Sequence, residues 1–414
     1  MGRSLRNVAS LITTVTILQL AAGLIGVRLP LDFAAHGHSR AALGLVAAAY
    51  SAGFMFGAVM ATQMLARVGH IRVFAASAAI FAAMTLSLHF VGDVWSWGLA
   101  RMIAGAAVAL MFAAVESWLA SSIGASERGE LMSLYMVATK AALALGPYLA
   151  FNYADMAAEP WMIAAGVAAV SMVPVCFTSQ AQPEMPKAQP LALREQFATA
   201  PAAVIACFGA GLINSGVLAL VPLYASQHFG APAAAEFYSA AWTGSLLLQW
   251  PAGRISDRID RRIVIAALTM LAAASAFALA ALGPALPRWA SVLVFFLWGA
   301  GGLSFYALGV AHMADRAEPG RLAQASSGLL FVWAAGSILG PILQGVLVDR
   351  LGMDGIFWFS GAVSVLLAAA MFWRRTTREA APPSQKEEFA PQETTSVAAG
   401  EIAYGPDDPR KATL

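Results

Sequence analysis

The apolar residues of this chain come in blocks of about 20 with short polar breaks between them, and that spacing leaves few folds open. A helix of about 20 apolar residues crosses a hydrocarbon core of about 30 Å. Composition agrees: 59% of the 414 residues are hydrophobic and 12% are charged, about half the charge of a soluble domain. Mean hydropathy is +0.68. Twelve blocks are countable, near 8–30, 41–64, 71–91, 95–118, 131–153, 160–178, 200–222, 235–253, 262–283, 289–311, 322–346 and 355–373. They predict an all-α membrane protein with twelve transmembrane helices in a lipid bilayer. The first block follows Arg3 and Arg6 as a signal peptide would. Its length and the spans right behind it read instead as the first transmembrane helix.

An even number of spans puts both termini on one side, and Lys/Arg counting chooses which. Arg3, Arg6, Arg67, Arg72, the cluster Arg254 to Arg262, Arg374, Arg375 and Arg378 fall on one face. The opposite loops and helix ends hold only Arg28, Arg40, Arg288 and Arg350. The basic face is therefore expected to be cytoplasmic, in a plasma membrane or bacterial inner membrane.

The chain also repeats itself. Gly253-Arg-Ile-Ser-Asp257-Arg258-Ile-Asp-Arg-Arg262 and Ala66-Arg67-Val-Gly69-His-Ile-Arg72 each join two apolar blocks, about 190 residues apart. Ala142-Leu-Ala-Leu-Gly146-Pro147 recurs as Gly336-Ser-Ile-Leu-Gly340-Pro341, and Arg128 as Arg321, at nearly the same offset. Three landmarks at one offset indicate a duplication of six helices plus six. The expected organisation is a six-helix bundle over 1–178, a cytoplasmic linker over 179–199 and a second bundle over 200–375. A disordered tail is expected over 376–414, poor in large apolar residues.

On these residues the chain resembles the major facilitator superfamily (MFS) of transporters. Its hairpin signature, roughly G-x-x-x-D-R-x-G-R-R, is matched by Gly253, Asp257, Arg258, Arg261 and Arg262, with Asp260 at the glycine position. The first copy keeps Gly69 and Arg72, with Ala66 in place of the aspartate. Arg101 and Gly105 match R-x-x-x-G of helix 4, and Gly146-Pro147 ends the helix 5 motif. Gly69 to Arg72, Glu116 to Leu119, Leu248 to Pro251 and Gly299 to Tyr306 resemble the YcaD subgroup. The resemblance implies two six-helix pseudo-repeats around a cavity lined by helices 1, 4, 7 and 10. That nominates Gln19, Arg101, Asn214, Trp298 and Tyr306 as substrate contacts, with ordinary packing the competing role for the two aromatic residues.

Charged residues inside apolar blocks are the remaining candidates, because an ionised group at mid-membrane costs about 2.5–3.5 kcal/mol on insertion scales. Arg101 lies about 9 Å into helix 4 and is expected to face the interior. A structural arginine bonded to helix-end carbonyls is the alternative. Lys140, deep in helix 5, reads as a cavity or gating residue, or as a structural hydrogen-bond donor. Glu116 lies about 22 Å from Arg101 along the same helix. It is read as a latch to Arg67 or Arg72, as a proton carrier, or as a helix-end charge. Asp257, Arg258 and Arg262 with Gly69 are the gating set, and the arginines serve topology on the competing reading. Gly146, Pro147, Gly340 and Pro341 are candidate helix bends, or points of close packing.

His36 and His38 form a two-residue H-x-H, too few ligands for a metal site. Cys176 and Cys207 both lie in apolar blocks, so no disulfide framework is indicated. No G-x-x-x-x-G-K-[ST] phosphate loop is present, which disfavours a primary pump. Neither a catalytic constellation nor a soluble domain to hold one is evident, and no cofactor or nucleic-acid partner is expected. The reading is a secondary transporter of a small molecule of unknown identity, monomeric and with protons as a candidate coupling ion. A membrane sensor or scaffold on the same fold is the alternative.

Overall fold

The computed structural model describes residues 2–122, 128–153, 159–178, 193–317, 322–380, 382 and 386–389. The first half contains α1 (Gly2–Ala35), α2 (Arg40–Val68), α3 (His70–Ser87), α4 (Val94–Ser122) and α5 (Arg128–Leu145). A 3-10 turn (Gly146–Tyr153), α6 (Glu159–Val170) and the short α7 (Met172–Cys176) complete it. After α8 (Leu193–Thr199) come α9 (Pro201–Phe229), α10 (Ala231–Arg258), α11 (Arg261–Leu282) and α12 (Arg288–Gly302). They are followed by α13 (Phe305–Ala314), α14 (Leu322–Leu351) and α15 (Gly355–Thr377). Most of the expected linker, 179–192, and of the tail, 390–414, lies outside the described residues.

Every expected span is helical, and nine helical stretches among the described residues are long and apolar enough to cross a membrane. The other three fall short for readable reasons. Helix α5 carries Arg128, Glu130 and Lys140 within 18 residues. Helix α10 mixes alanines with Ser, Thr, Gln and four charged residues. The stretch Pro160–Cys176 is apolar but shorter.

Packing repeats along the chain. Helix α2 packs on α4 as α10 packs on α12, α5 on α1 as α14 on α9, and α3 on α6 as α11 on α15. Two further pairs link the sequence halves, α2 with α14 and α5 with α10, and they too are equivalent under the repeat. Small residues make the closest contacts, as expected where lipid tails supply no hydrophobic drive between helices. A methyl group on Gly53 would lie 1.8 Å from the Met102 carbonyl oxygen, and one on Gly105 2.1 Å from that of Tyr50. In the second half Gly244 stands likewise 2.1 Å from the Phe296 oxygen, and Gly299 2.3 Å from that of Ala241.

The two Gly-Pro pairs part company here. The α-helix of α5 stops at Leu145, and the backbone tightens into the 3-10 turn from Gly146. Helix α14 runs unbroken through Gly340 and Pro341. Both glycines sit against a neighbouring backbone: a methyl on Gly146 would come within 2.3 Å of Leu20 O, and one on Gly340 within 2.2 Å of Leu212 O.

Candidate functional site

A cavity of about 240 Å³ opens where α1, α2, α4, α5, α9, α10 and α14 meet. Gln19, Arg101, Lys140 and Asn214 line it. Arg101 stands in the second turn of α4, its guanidinium carbon 4.0 Å from the centroid of the Tyr50 ring. A guanidinium over an aromatic face is held by the ring quadrupole. Lys140 reaches from α5 to α10, donating to Ser245 Oγ at 2.7 Å and to Gln249 Oε1. One buried cation thus ties the two sequence halves together. Asn214 donates to the Gly302 carbonyl at 2.8 Å.

Trp298 and Tyr306 do not belong to the cavity wall. Trp298 is fully buried, stacked 4.9 Å from Phe295, and its indole donates to Ser360 Oγ at 2.9 Å. Tyr306 is 2% exposed and lies in the core beyond the break between α12 and α13. The helix is interrupted at Leu303–Ser304, and helix number alone does not say which face of α12 or α13 is turned to the cavity. The wall instead includes Tyr50, Tyr238, Trp242 and Trp333, which sequence reading missed. Tyr238 and Trp242 are four residues apart, hence on one face of α10.

Glu116 is fully buried and accepts a hydrogen bond from the Tyr135 hydroxyl at 3.2 Å. Arg67 and Arg72 are exposed at the helix ends, and the structure does not bring them to Glu116. An arginine at a helix end keeps its charged head in water. Gly69 ends α2 with φ +88°, a conformation that favours glycine, and its N–H bonds back to Leu65 O.

The second hairpin is knitted far more tightly. Arg261, which the candidate set omitted, is its centre. It makes a two-pronged bond to Asp315 (2.7 and 3.0 Å) and donates to Asp257 at 2.9 Å. Both Arg261 and Asp315 side chains are essentially enclosed, at 0% and 1% exposed. Arg262 donates to Asp260 and to the carbonyls of Arg374 and Arg378 at the end of α15. Arg258 is exposed. Asp260, the departure from the glycine of the signature, caps α11 by accepting from Arg262 N–H at 3.0 Å. Its φ of −57° needs no glycine. Burial raises the Asp260 carboxyl, but its bonds to Arg262 outweigh this and hold it below the usual carboxylate value.

At the end away from the hairpins the halves are closed against each other. Asp349, near the end of α14, accepts from the first N–H groups of α2, Arg40 (3.1 Å) and Ala41 (2.9 Å). A carboxylate at a helix N-terminus is favoured by the helix dipole. Ser239 adds a bond to the Ala144 carbonyl at 2.5 Å. His36 and His38 bond to the carbonyls of Asp32 and Gly92. No group of three or more metal-ligating side chains occurs among the described residues.

The comparisons agree with this architecture. The nucleoside transporter NupG superposes with a TM-score of 0.71 at 14% identity, covering 89% of this chain and 98% of NupG. A POT family transporter in complex with 5-aminolevulinic acid superposes with a TM-score of 0.73 at 12% identity, covering 90% and 96%. Among sequences, the uncharacterized MFS-type transporter YcaD of Shigella flexneri serotype 5b is 27% identical over 369 residues, 87% of this chain and 94% of that protein. YcaD of Escherichia coli O7:K1 is also 27% identical over the same length. The Major Facilitator Superfamily model matches residues 11–303 and 232–406. A multi-pass integral membrane protein with this helix pairing, this central cavity and these sequence matches belongs to the Major Facilitator Superfamily and resembles its YcaD-type transporters.

Proposed function

We propose that the protein is a secondary transporter that carries a small solute by alternating access, driven by protons. Two lobes, 1–178 and 200–375, tilt about the cavity. The termini and both basic hairpins lie in the cytoplasm of a cell whose plasma or inner membrane holds the protein. The observation that carries this reading is the cavity itself, walled by helices of both halves and bridged by Lys140. Bonds such as Asp349 to α2 close one end, and they are of the kind a rocking motion breaks and remakes. Two carboxylates are buried among the described residues, Glu116 and Asp315. Asp315 belongs to the hairpin network of Arg261, whereas Glu116 lies on α4, the helix that carries the cavity residue Arg101. We assign Glu116 as the proton carrier on that placement.

Proteoliposomes offered a labelled metabolite extract test this. At least one solute is expected to accumulate above protein-free liposomes, severalfold more with acid outside. Glu116→Gln is expected to remove the gradient dependence and to spare solute exchange. Accumulation indifferent to the gradient sinks the coupling. No accumulation of any solute favours a sensor or scaffold.

A further inference from the structure

We propose that the solute is an amphipathic organic anion, held with its charge on Arg101 and its apolar body against the aromatic wall. This rests on the transporter reading above and names its solute class. Among the described residues the cavity wall contains two cations, Arg101 and Lys140, and no Asp or Glu. Lys140 is already engaged with Ser245 and Gln249. Arg101 offers its guanidinium over a neutral ring, and among the described residues no carboxylate shares the wall with it. A half-buried cation at membrane depth without a facing anion is costly, and a carboxylate ligand recovers part of that cost through a two-pronged, charge-assisted bond. A cationic ligand meets two like charges in a low-dielectric space, and a neutral one leaves the field of the cavity uncompensated. The rest of the wall is mostly apolar, with several leucines and with Trp242 and Trp333, so the body of the ligand is apolar. Asn214 Oδ1, buried beside the cavity, accepts no hydrogen bond among the described residues, which suits a ligand N–H or O–H.

Three indole probes of one shape decide the matter: indole-3-acetate, indole-3-acetamide and tryptamine. Binding is read on the purified full-length protein by ligand-induced shift of the melting temperature. The acetate is expected to bind at least tenfold more tightly than the other two. Arg101→Gln removes that preference, and Arg101→Lys, which keeps the charge, retains part of it. Equal binding of the three, best binding of the amide or the amine, no binding of any, or a preference that survives Arg101→Gln overturns the proposal. Anion binding without flux leaves the class standing and sinks transport. Flux of a neutral or cationic solute does the reverse.

A different observation carries a second inference: the structure assigns Lys386–Phe389 as a strap that clamps the α10–α11 turn to the end of α13. Phe389 is 8% exposed, and its ring covers Gly253 so closely that a methyl group there would lie 1.9 Å from Cδ1. The Phe389 N–H donates to the Asp257 carboxylate at 3.1 Å, and the Glu387 N–H to Asp315 at 3.0 Å. Arg261 donates to the Glu387 carbonyl. Lys386 Nζ donates to the carbonyls of Ser256 (3.2 Å) and Ile259 (2.5 Å), satisfying the open end of α10 as a C-terminal cation does. Three of these four successive residues thus reach three parts of one hairpin network, so the turn can move only after the strap lifts. Hydrogen exchange on the full-length protein tests it. Lys386→Ala with Phe389→Ala is expected to speed exchange of the amides at 257–263 at least fivefold. Exchange there unchanged in the double variant overturns the strap.

Discussion

Arg261→Ala is expected to destabilise the protein by about 3–5 kcal/mol, the usual cost of removing one partner of a buried ion pair. The variant leaves Asp315 enclosed, with an anionic carboxylate that has lost its two-pronged partner. It also releases Asp257 and Ser256, which the same guanidinium holds. A fall in melting temperature of about 5 °C or more is expected, read by thermal unfolding of the purified protein. Arg258→Ala, three residues earlier and exposed, is the control. Its effect should stay within about 0.5 kcal/mol. Charge loss alone would make the two variants alike, and that outcome would sink the assignment of Arg261 as the buried anchor. Restoring balance gives a sharper check. Arg261→Met combined with Asp315→Leu removes both charges and should recover a good part of the lost stability, since the penalty lies in the orphaned partner rather than in the missing bond.

Arg261 also shows where sequence reading reaches its limit. The fold was legible because hydrocarbon thickness sets helix length, and blocks of that length are counted without any knowledge of packing. Arg101 and Lys140 were legible for a related reason, since a charge inside an apolar block stands out by its cost. Tyr50, Tyr238, Trp242 and Trp333 were not, because aromatic residues occur on every face of a membrane helix and only packing says which face is turned inward. Assignment of Trp298 and Tyr306 from helix number carries no azimuth: Trp298 turns to Phe295 and Ser360 within its own half, and Tyr306 lies past the break before Phe305. Within the hairpin the sequence offers four arginines and two aspartates from Gly253 to Arg262, equivalent by composition. Burial alone separates the structural pair, Arg261 and Arg262, from the exposed Arg254 and Arg258. The key partner, Asp315, lies 54 positions away, where no local pattern links it to Arg261.

Gly44→Leu is expected to cut solute flux at least tenfold while leaving the fold intact. Gly44 lies on α2 where that helix crosses α14 of the other half, and a methyl group there would stand 2.1 Å from the Pro341 carbonyl oxygen. The clash is with backbone, so neither partner can turn aside. Overpacking costs about 1–3 kcal/mol, and between two conformations that free energy shifts the population about 5–150-fold. On the rocking motion proposed above, the closed arrangement at the Asp349 end bears the cost, because opening that end would separate α2 from α14. Spin labels at Ala35 and Leu351, on helix ends of opposite halves, should report a lengthened distance in the variant. Gly53→Leu supplies the contrast. It sits nine residues on along the same helix but faces Met102 of α4 within its own half. No rocking motion relieves that clash, so the cost falls on folding, and melting temperature should drop without a change of preferred conformation. If Gly44→Leu melts early and Gly53→Leu does not, then α2 and α14 form a static seam, and the pivoting of the two lobes must be abandoned.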